Sequence, residues 1–118
     1  LDVVSLADER GWSALLPIPV DAAGPVTGLD TVPSRVLPLF DTAVSGLHGG
    51  TGSPFDWSLL ADVGRPYVLA GGLGPDNVAE AVAVLHPFGV DASSRLEAAP
   101  GVKDPDSIRA FIKEAKSV

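Results

Sequence analysis

The feature that most narrows the fold is a series of short, nearly continuous apolar runs separated by amphipathic stretches. The runs are Leu1–Leu6, Ile18–Val20, Val36–Phe40, Tyr67–Ala70 and Phe88–Ala92. Apolar runs without alternation suit strands of a parallel sheet covered on its faces. Their starts lie roughly 15 to 30 residues apart, the size of a strand-plus-helix unit. Pro75–Leu85 reads as a helix opened by Pro75, with Val78, Val82 and Leu85 on one face. A second runs from Pro105 to Lys116, capped by Asp104, with Ile108, Phe111, Ile112 and Ala115 as its stripe. A shorter helix is expected from Asp56 to Gly64, turning Trp57, Leu60 and Val63 inward. The repeated βα pattern makes the class α/β. Pro19 and Pro38 fall inside expected strands, which points to edge-like or distorted segments there.

Composition limits what such a chain can do. Its 118 residues allow a single domain, 1–118, and 46% of them are apolar, enough for a core. No stretch is long and apolar enough for a membrane helix and no signal peptide is visible, so a soluble, cytoplasmic protein is expected. The absence of cysteine excludes disulfides, thiolate metal sites and a cysteine nucleophile or base. Two histidines, His48 and His86, are too few for a multi-histidine metal site. A net charge of −7 repels nucleic acid, so an anionic ligand needs locally arranged donors. The chain has no methionine and starts inside an apolar run, and the expectation is a fragment.

Four features at or just after the ends of expected strands can carry chemistry. Asp41 closes the run Val36–Phe40; spacing alone favours a capping role, and partial burial would suit it to general acid work. Gly49-Gly50-Thr51-Gly52 before Phe55-Asp56-Trp57 is either an ordinary loop or one that closes over a ligand. Gly71-Gly72 before Pro75-Asp76-Asn77 is a tight βα turn or a place where backbone N–H groups meet an anion at a helix start. Asp91-Ala92-Ser93-Ser94-Arg95 offers hydroxyl and backbone donors to a phosphate, with Arg95 either pointing to solvent or adding a charge. Neither histidine reads as functional: His86 precedes Pro87 at a helix end, and His48 sits in the glycine-rich loop.

Taken in order, these motifs resemble phosphoribosylanthranilate isomerase. Phe40-Asp41-Thr42, Gly49-Gly50-Thr51-Gly52 and Phe55-Asp56-Trp57-Ser58-Leu59-Leu60 are similar to the surroundings of its sixth strand. Leu69-Ala70-Gly71-Gly72-Leu73 with Pro75-Asp76-Asn77-Val78 looks like its seventh strand and helix. Gly89-Val90-Asp91-Ala92-Ser93-Ser94, Glu97 and Pro100-Gly101-Val102-Lys103-Asp104 look like its eighth. Leu1-Asp2-Val3-Val4 is more loosely similar to its fourth strand.

The resemblance implies a partial (β/α)8 barrel, parallel strands with outer helices and the first three βα units missing. A complete barrel has roughly 250 residues, about twice this length. It also implies a cofactor-free Amadori rearrangement of N-(5-phosphoribosyl)anthranilate in tryptophan biosynthesis. By position, Asp41 matches the general acid, Asp91 an aspartate near the ligand, and Gly71, Gly72, Ser93 and Ser94 the phosphate-binding loops. The family's catalytic cysteine, from its first strand, has no counterpart here, nor has the arginine expected in the early strands for the anthranilate carboxylate. Ser5-Leu6-Ala7-Asp8 stands where the family reads Gln-Leu-His-Gly, Arg95 replaces a glycine, and Ser53 replaces a basic or polar residue. The implied partners are the phosphorylated sugar-anthranilate and either a second copy or the missing N-terminal half of the barrel, with neither nucleic acid nor membrane. The alternative is an inactive fragment or derivative that at most binds a sugar phosphate.

Overall fold

Two eight- and six-residue strands organise the sheet. β1 (Ala14–Asp21) and β3 (Val36–Asp41) pair in parallel from Ala14↔Val36 to Pro19↔Asp41. They belong to a computed structural model that describes residues 2–21, 24–25, 28–42 and 56–118. β4 (Val68–Ala70) pairs in parallel with β3, and β5 (Gly89–Val90) with β4. β2 (Gly24–Pro25) adds a two-residue antiparallel edge on β1, giving the order β2-β1-β3-β4-β5. The class is α/β with a mostly parallel sheet. The described residues hold four parallel strands rather than five.

The difference lies at the first apolar run. Val3–Arg10 is a helix, α1, not a strand. Asp2 caps it, accepting from the Val4 N–H at 3.1 Å and the Ser5 hydroxyl at 3.1 Å. Gly11, left-handed at φ 67, closes the other end by donating to the Ala7 and Asp8 carbonyls. Val4 and Ala7, three apart, face the core while Asp8, Glu9 and Arg10 face solvent. Ser5-Leu6-Ala7-Asp8 therefore lies within a helix rather than after a strand.

Proline is tolerated where ladder bonds are few. β1 runs unbroken through Pro17 and Pro19, and among the described residues its outer side is paired only at Val20 and Asp21. Pro38 sits one residue before the β3–β4 ladder starts at Leu39↔Val68.

The register assigns each residue to a face, since paired residues of parallel strands point the same way. Ile18, Phe40 and Leu69 share one face and are buried. With Val36, Leu60, Val78, Ala81 and Phe111 they form the core, where the Phe40 and Tyr67 rings meet at 5.1 Å between centroids. Burial of the Tyr67 phenol raises its pKa above the usual value. On the other face, Pro17, Leu37, Leu39 and Val68 are exposed or half-buried and Leu15 is 55% exposed. A groove of roughly 480 Å³ lined by Leu15, Leu37 and Phe88 opens there, with Phe88 73% exposed.

The buried face is covered by α2 (Val78–Leu85) and α3 (Pro105–Lys116). Asp104 caps α3 as expected, accepting from the Asp106 N–H at 3.1 Å and the Ser107 hydroxyl at 2.9 Å. Ile108, Phe111 and Ala115 pack inward, whereas Ile112 is 48% exposed. Pro75 lies in the turn before α2 instead of its first turn. The segment after Asp56 forms one 3-10 turn, Trp57–Leu60, in place of an α-helix. Leu60 is nonetheless buried there, with Trp57 and Val63 packed alongside. Between β5 and α3 an unexpected hairpin pairs β6 (Glu97–Ala99) with β7 (Val102–Lys103), turning at Gly101 with φ 78. Gly49-Gly50-Thr51-Gly52, His48, Ser53 and Phe55 lie outside the described residues. Among those described, no helix is long and apolar enough to cross a membrane.

At the opposite end of the sheet from the carboxylates, Arg65 donates to the Leu29, Val32, Pro33 and Val36 carbonyls at 2.8–3.3 Å. Those carbonyls lose their charged donor in Arg65→Ala. The expected cost is about 2–3 kcal/mol of unfolding free energy in urea, with Arg65→Lys recovering part of it. An alanine variant as stable as the parent would show the guanidinium to be dispensable.

Candidate active site

The parallel register brings the carboxyl ends of β3, β4 and β5 together, and a concavity of roughly 240 Å³ forms there. Asp41, Gly71, Gly72, Asp91, Ser93 and Ser94 all line it, joined by Leu39, Leu73 and Arg95. Asp41 is opposite Ala70 and so points to the open face of the sheet, away from the core. Asp91 follows β5, its N–H donating to the Leu69 carbonyl at 2.9 Å. Six residues picked out across 54 positions of sequence thus share one surface (41 to 94).

Thr42 holds the β3 and β4 ends in place. It is buried, its N–H donates to the Ala70 carbonyl at 3.0 Å, and its hydroxyl reaches the Ala70 and Gly71 carbonyls, each at 3.0 Å. A trans peptide opposes its carbonyl and N–H, so the Gly72 N–H points away from Thr42. Gly71 (φ 97) and Gly72 (φ 68) take conformations that a side chain would strain. Asn77 braces the same turn from beyond, accepting from the Gly74 N–H at 2.9 Å and donating to the Gly72 carbonyl at 3.0 Å.

The serine loop is held by charge. Lys103 on β7 donates to the Ser93 carbonyl at 2.9 Å and its hydroxyl at 3.3 Å, and pairs with Glu97 at 3.0 Å. Arg95 is not simply solvent-facing. Its guanidinium donates to the Gly72 carbonyl at 3.0 Å and pairs with Asp76 at 2.6 Å, crossing between the two loops. Thr42, Asn77 and Lys103 all stood within the motifs already noted, but not as site residues. The threonine's carbonyl partners are 28 and 29 positions away, so spacing carries no sign of its bracing role.

Two carboxyl groups line a small cavity edged by glycine and serine. That arrangement can donate or accept a proton at Asp41 or Asp91 and can offer hydroxyls and backbone donors to an anion. No group of three or more His, Asp or Glu among the described residues could hold a metal ion. Asp56 belongs to a different place, capping its 3-10 turn by accepting from the Ser58 N–H at 3.0 Å; the hydrogen bonds from Ser58 lower its pKa.

A family model described as N-(5'phosphoribosyl)anthranilate (PRA) isomerase matches residues 17–114. An N-(5'-phosphoribosyl)anthranilate isomerase of Pseudomonas aeruginosa (strain UCBPP-PA14) is 54% identical over 80 residues, 67% of this chain and 38% of that protein. Monomers of the dimeric phosphoribosylanthranilate isomerase of Thermotoga maritima superpose with a TM-score of 0.68 at 32% identity, covering 99% of this chain and 57% of that one. A phosphoribosyl anthranilate isomerase in complex with reduced 1-(o-carboxyphenylamino)-1-deoxyribulose 5-phosphate superposes at 0.56 with 33% identity, covering 98% and 66%. The chain spans less than two thirds of the curated relative's length.

The hydrogen bond from Arg95 holds the Asp76 carboxyl below the ordinary carboxylate value. A depressed pKa contributes stability above the unfolded value, and that contribution disappears as pH falls through the folded one. Asp76→Asn is therefore expected to be less stable than the parent at neutral pH, with the gap closing below about pH 4. Urea titrations at several pH values check this; a gap that persists or widens in acid would contradict it.

Proposed function

Since this chain belongs to the N-(5'-phosphoribosyl)anthranilate isomerase family, we propose that it supplies the acid and phosphate ends of that isomerase's active site. The observation that supports this most is the meeting of Asp41 with Gly71-Gly72 and Ser93-Ser94 in one concavity. The sugar phosphate sits against the glycine and serine loops, where N–H groups and hydroxyls receive its oxygens. Asp41 then reaches the ribose ring as general acid, and Asp91 lies beside the sugar.

The chemistry is an Amadori rearrangement. Asp41 gives its proton to the ring oxygen as the C1–O bond breaks, and the nitrogen lone pair forms a C1=N bond. Removal of the C2 proton gives an enolamine, and return of a proton to C1, as the C2 hydroxyl gives up its own, leaves the 2-ketone of 1-(2-carboxyphenylamino)-1-deoxyribulose 5-phosphate. The base for the C2 proton is a cysteine in the family, and this chain has none. On this reading the base comes from a group outside these 118 residues.

The open sheet face supports the same division. Four parallel strands do not close a barrel, and their inward side leaves Leu15 exposed and Leu37, Leu39 and Val68 half-buried. We read the chain as part of a (β/α)8 barrel whose earlier βα units complete that face, working in the cytoplasm. Without them, a second copy covers it. Sedimentation of the purified chain is expected to show self-association; a monodisperse, cooperatively melting monomer would contradict this.

The assay follows loss of fluorescence of the anthranilate adduct, with the chain alone and with a separately supplied fragment carrying the family's first βα units. Activity is expected only in the mixture. Asp41→Asn should lower kcat there by at least about 100-fold with little change in folding. An inactive but folded complex would instead favour a sugar-phosphate binder without catalysis, consistent with the missing cysteine.

A further inference from the structure

The concavity has an unresolved charge problem. A bound phosphate would share it with Asp41 and Asp91 in a chain that already carries a net charge of −7. Among the described residues lining it, Arg95 is the single positive charge. We propose that Arg95 is a phosphate-binding residue of this chain, a guanidinium brought over the anion site to offset the two carboxylates. This rests on the phosphate reading of the glycine and serine loops given above.

The guanidinium is placed for that task by three contacts. Nη1 donates to the Gly72 carbonyl at 3.0 Å, within the loop proposed to hold phosphate. Nη2 pairs with Asp76, at 2.6 Å and 2.7 Å from its two oxygens. Its plane lies against Gly74, where an added Cβ would stand 3.2 Å from both Cζ and Nε. The glycine therefore leaves the space that the guanidinium fills. Arg95 also directly follows Ser93-Ser94, so one side chain spans both candidate phosphate loops.

The hydrogen-bond inventory leaves capacity for a ligand. A guanidinium carries five N–H groups; the Gly72 contact uses one on Nη1, and the two Asp76 oxygens engage Nη2, which leaves Nε and the second Nη1 N–H. The remaining donors match phosphate oxygens, for which arginine's planar fork is well suited. Asp76 fixes the direction of the fork without occupying the concavity, whose lining does not include it. Lys103 adds a second cation behind Ser93, acting on that loop through its carbonyl and hydroxyl.

The test is calorimetric titration of the chain with inorganic phosphate and, separately, with reduced 1-(o-carboxyphenylamino)-1-deoxyribulose 5-phosphate, at low and high salt. Arg95→Gln is expected to weaken both by about tenfold at low salt. It should also flatten the dependence of affinity on salt, because one charge contact has gone. Gly74→Ala, which keeps the charge but displaces the guanidinium, is expected to weaken both as well. An unchanged affinity in Arg95→Gln, or a loss with the parent's salt dependence, assigns Arg95 a purely structural role and overturns the proposal. If the parent binds phosphate through Arg95 but not the product analogue, the isomerase reading fails and this inference stands. A parent that binds neither ligand overturns both.

Discussion

Thr42 ties the carboxyl end of β3 to that of β4, and the candidate site depends on that join. One buried hydroxyl and one N–H engage the Ala70 and Gly71 carbonyls, so the strand ends cannot drift apart without stranding polar groups. Asp41 is thereby fixed one residue before the join, and the positive-φ glycines begin immediately after Ala70. Asn77 then holds the far side of the glycine turn. The acid and the anion loops are positioned by the same few hydrogen bonds.

The sheet's two faces have different roles. Ile18, Phe40 and Leu69 bury one face under α2 and α3, which supplies the cohesion. The other face carries Asp41 at its carboxyl end and an apolar groove at its opposite end. Carboxylates at one end of this face and Leu15, Leu37 and Leu39 along it fit the inside of a barrel, whose ligands sit at the strands' carboxyl ends. Here it meets solvent, which links the proposed need for a partner to the proposed catalytic deficit: the residues that would cover the face would also bring the missing base.

Much of this was legible from residue order. The continuous apolar runs located β3 and β4 closely because both are flanked by covered neighbours and end in carboxylate or glycine. The six candidate residues could be picked out because each lies at or just after a strand end, where parallel sheets place their ligands. The first run misled because Leu1-Asp2-Val3-Val4 reads as a strand unless Asp2 and Gly11 are weighed as the two caps of a helix. The hairpin at Pro100-Gly101 was signalled by its turn residues but hidden by short, polar strands. Arg95 could not be resolved at all from spacing, since its partners Gly72 and Asp76 lie 23 and 19 positions away.

A sugar phosphate is proposed to bind at the ends of β3, β4 and β5. Backbone amide NMR on labelled chain, titrated with reduced 1-(o-carboxyphenylamino)-1-deoxyribulose 5-phosphate, tests it most directly. Saturable shifts are predicted at Gly71, Gly72, Ser93 and Ser94, with Asp41 and Asp91 following. Shifts confined to the apolar groove around Leu15, Leu37 and Phe88, or none at saturating ligand, would contradict it.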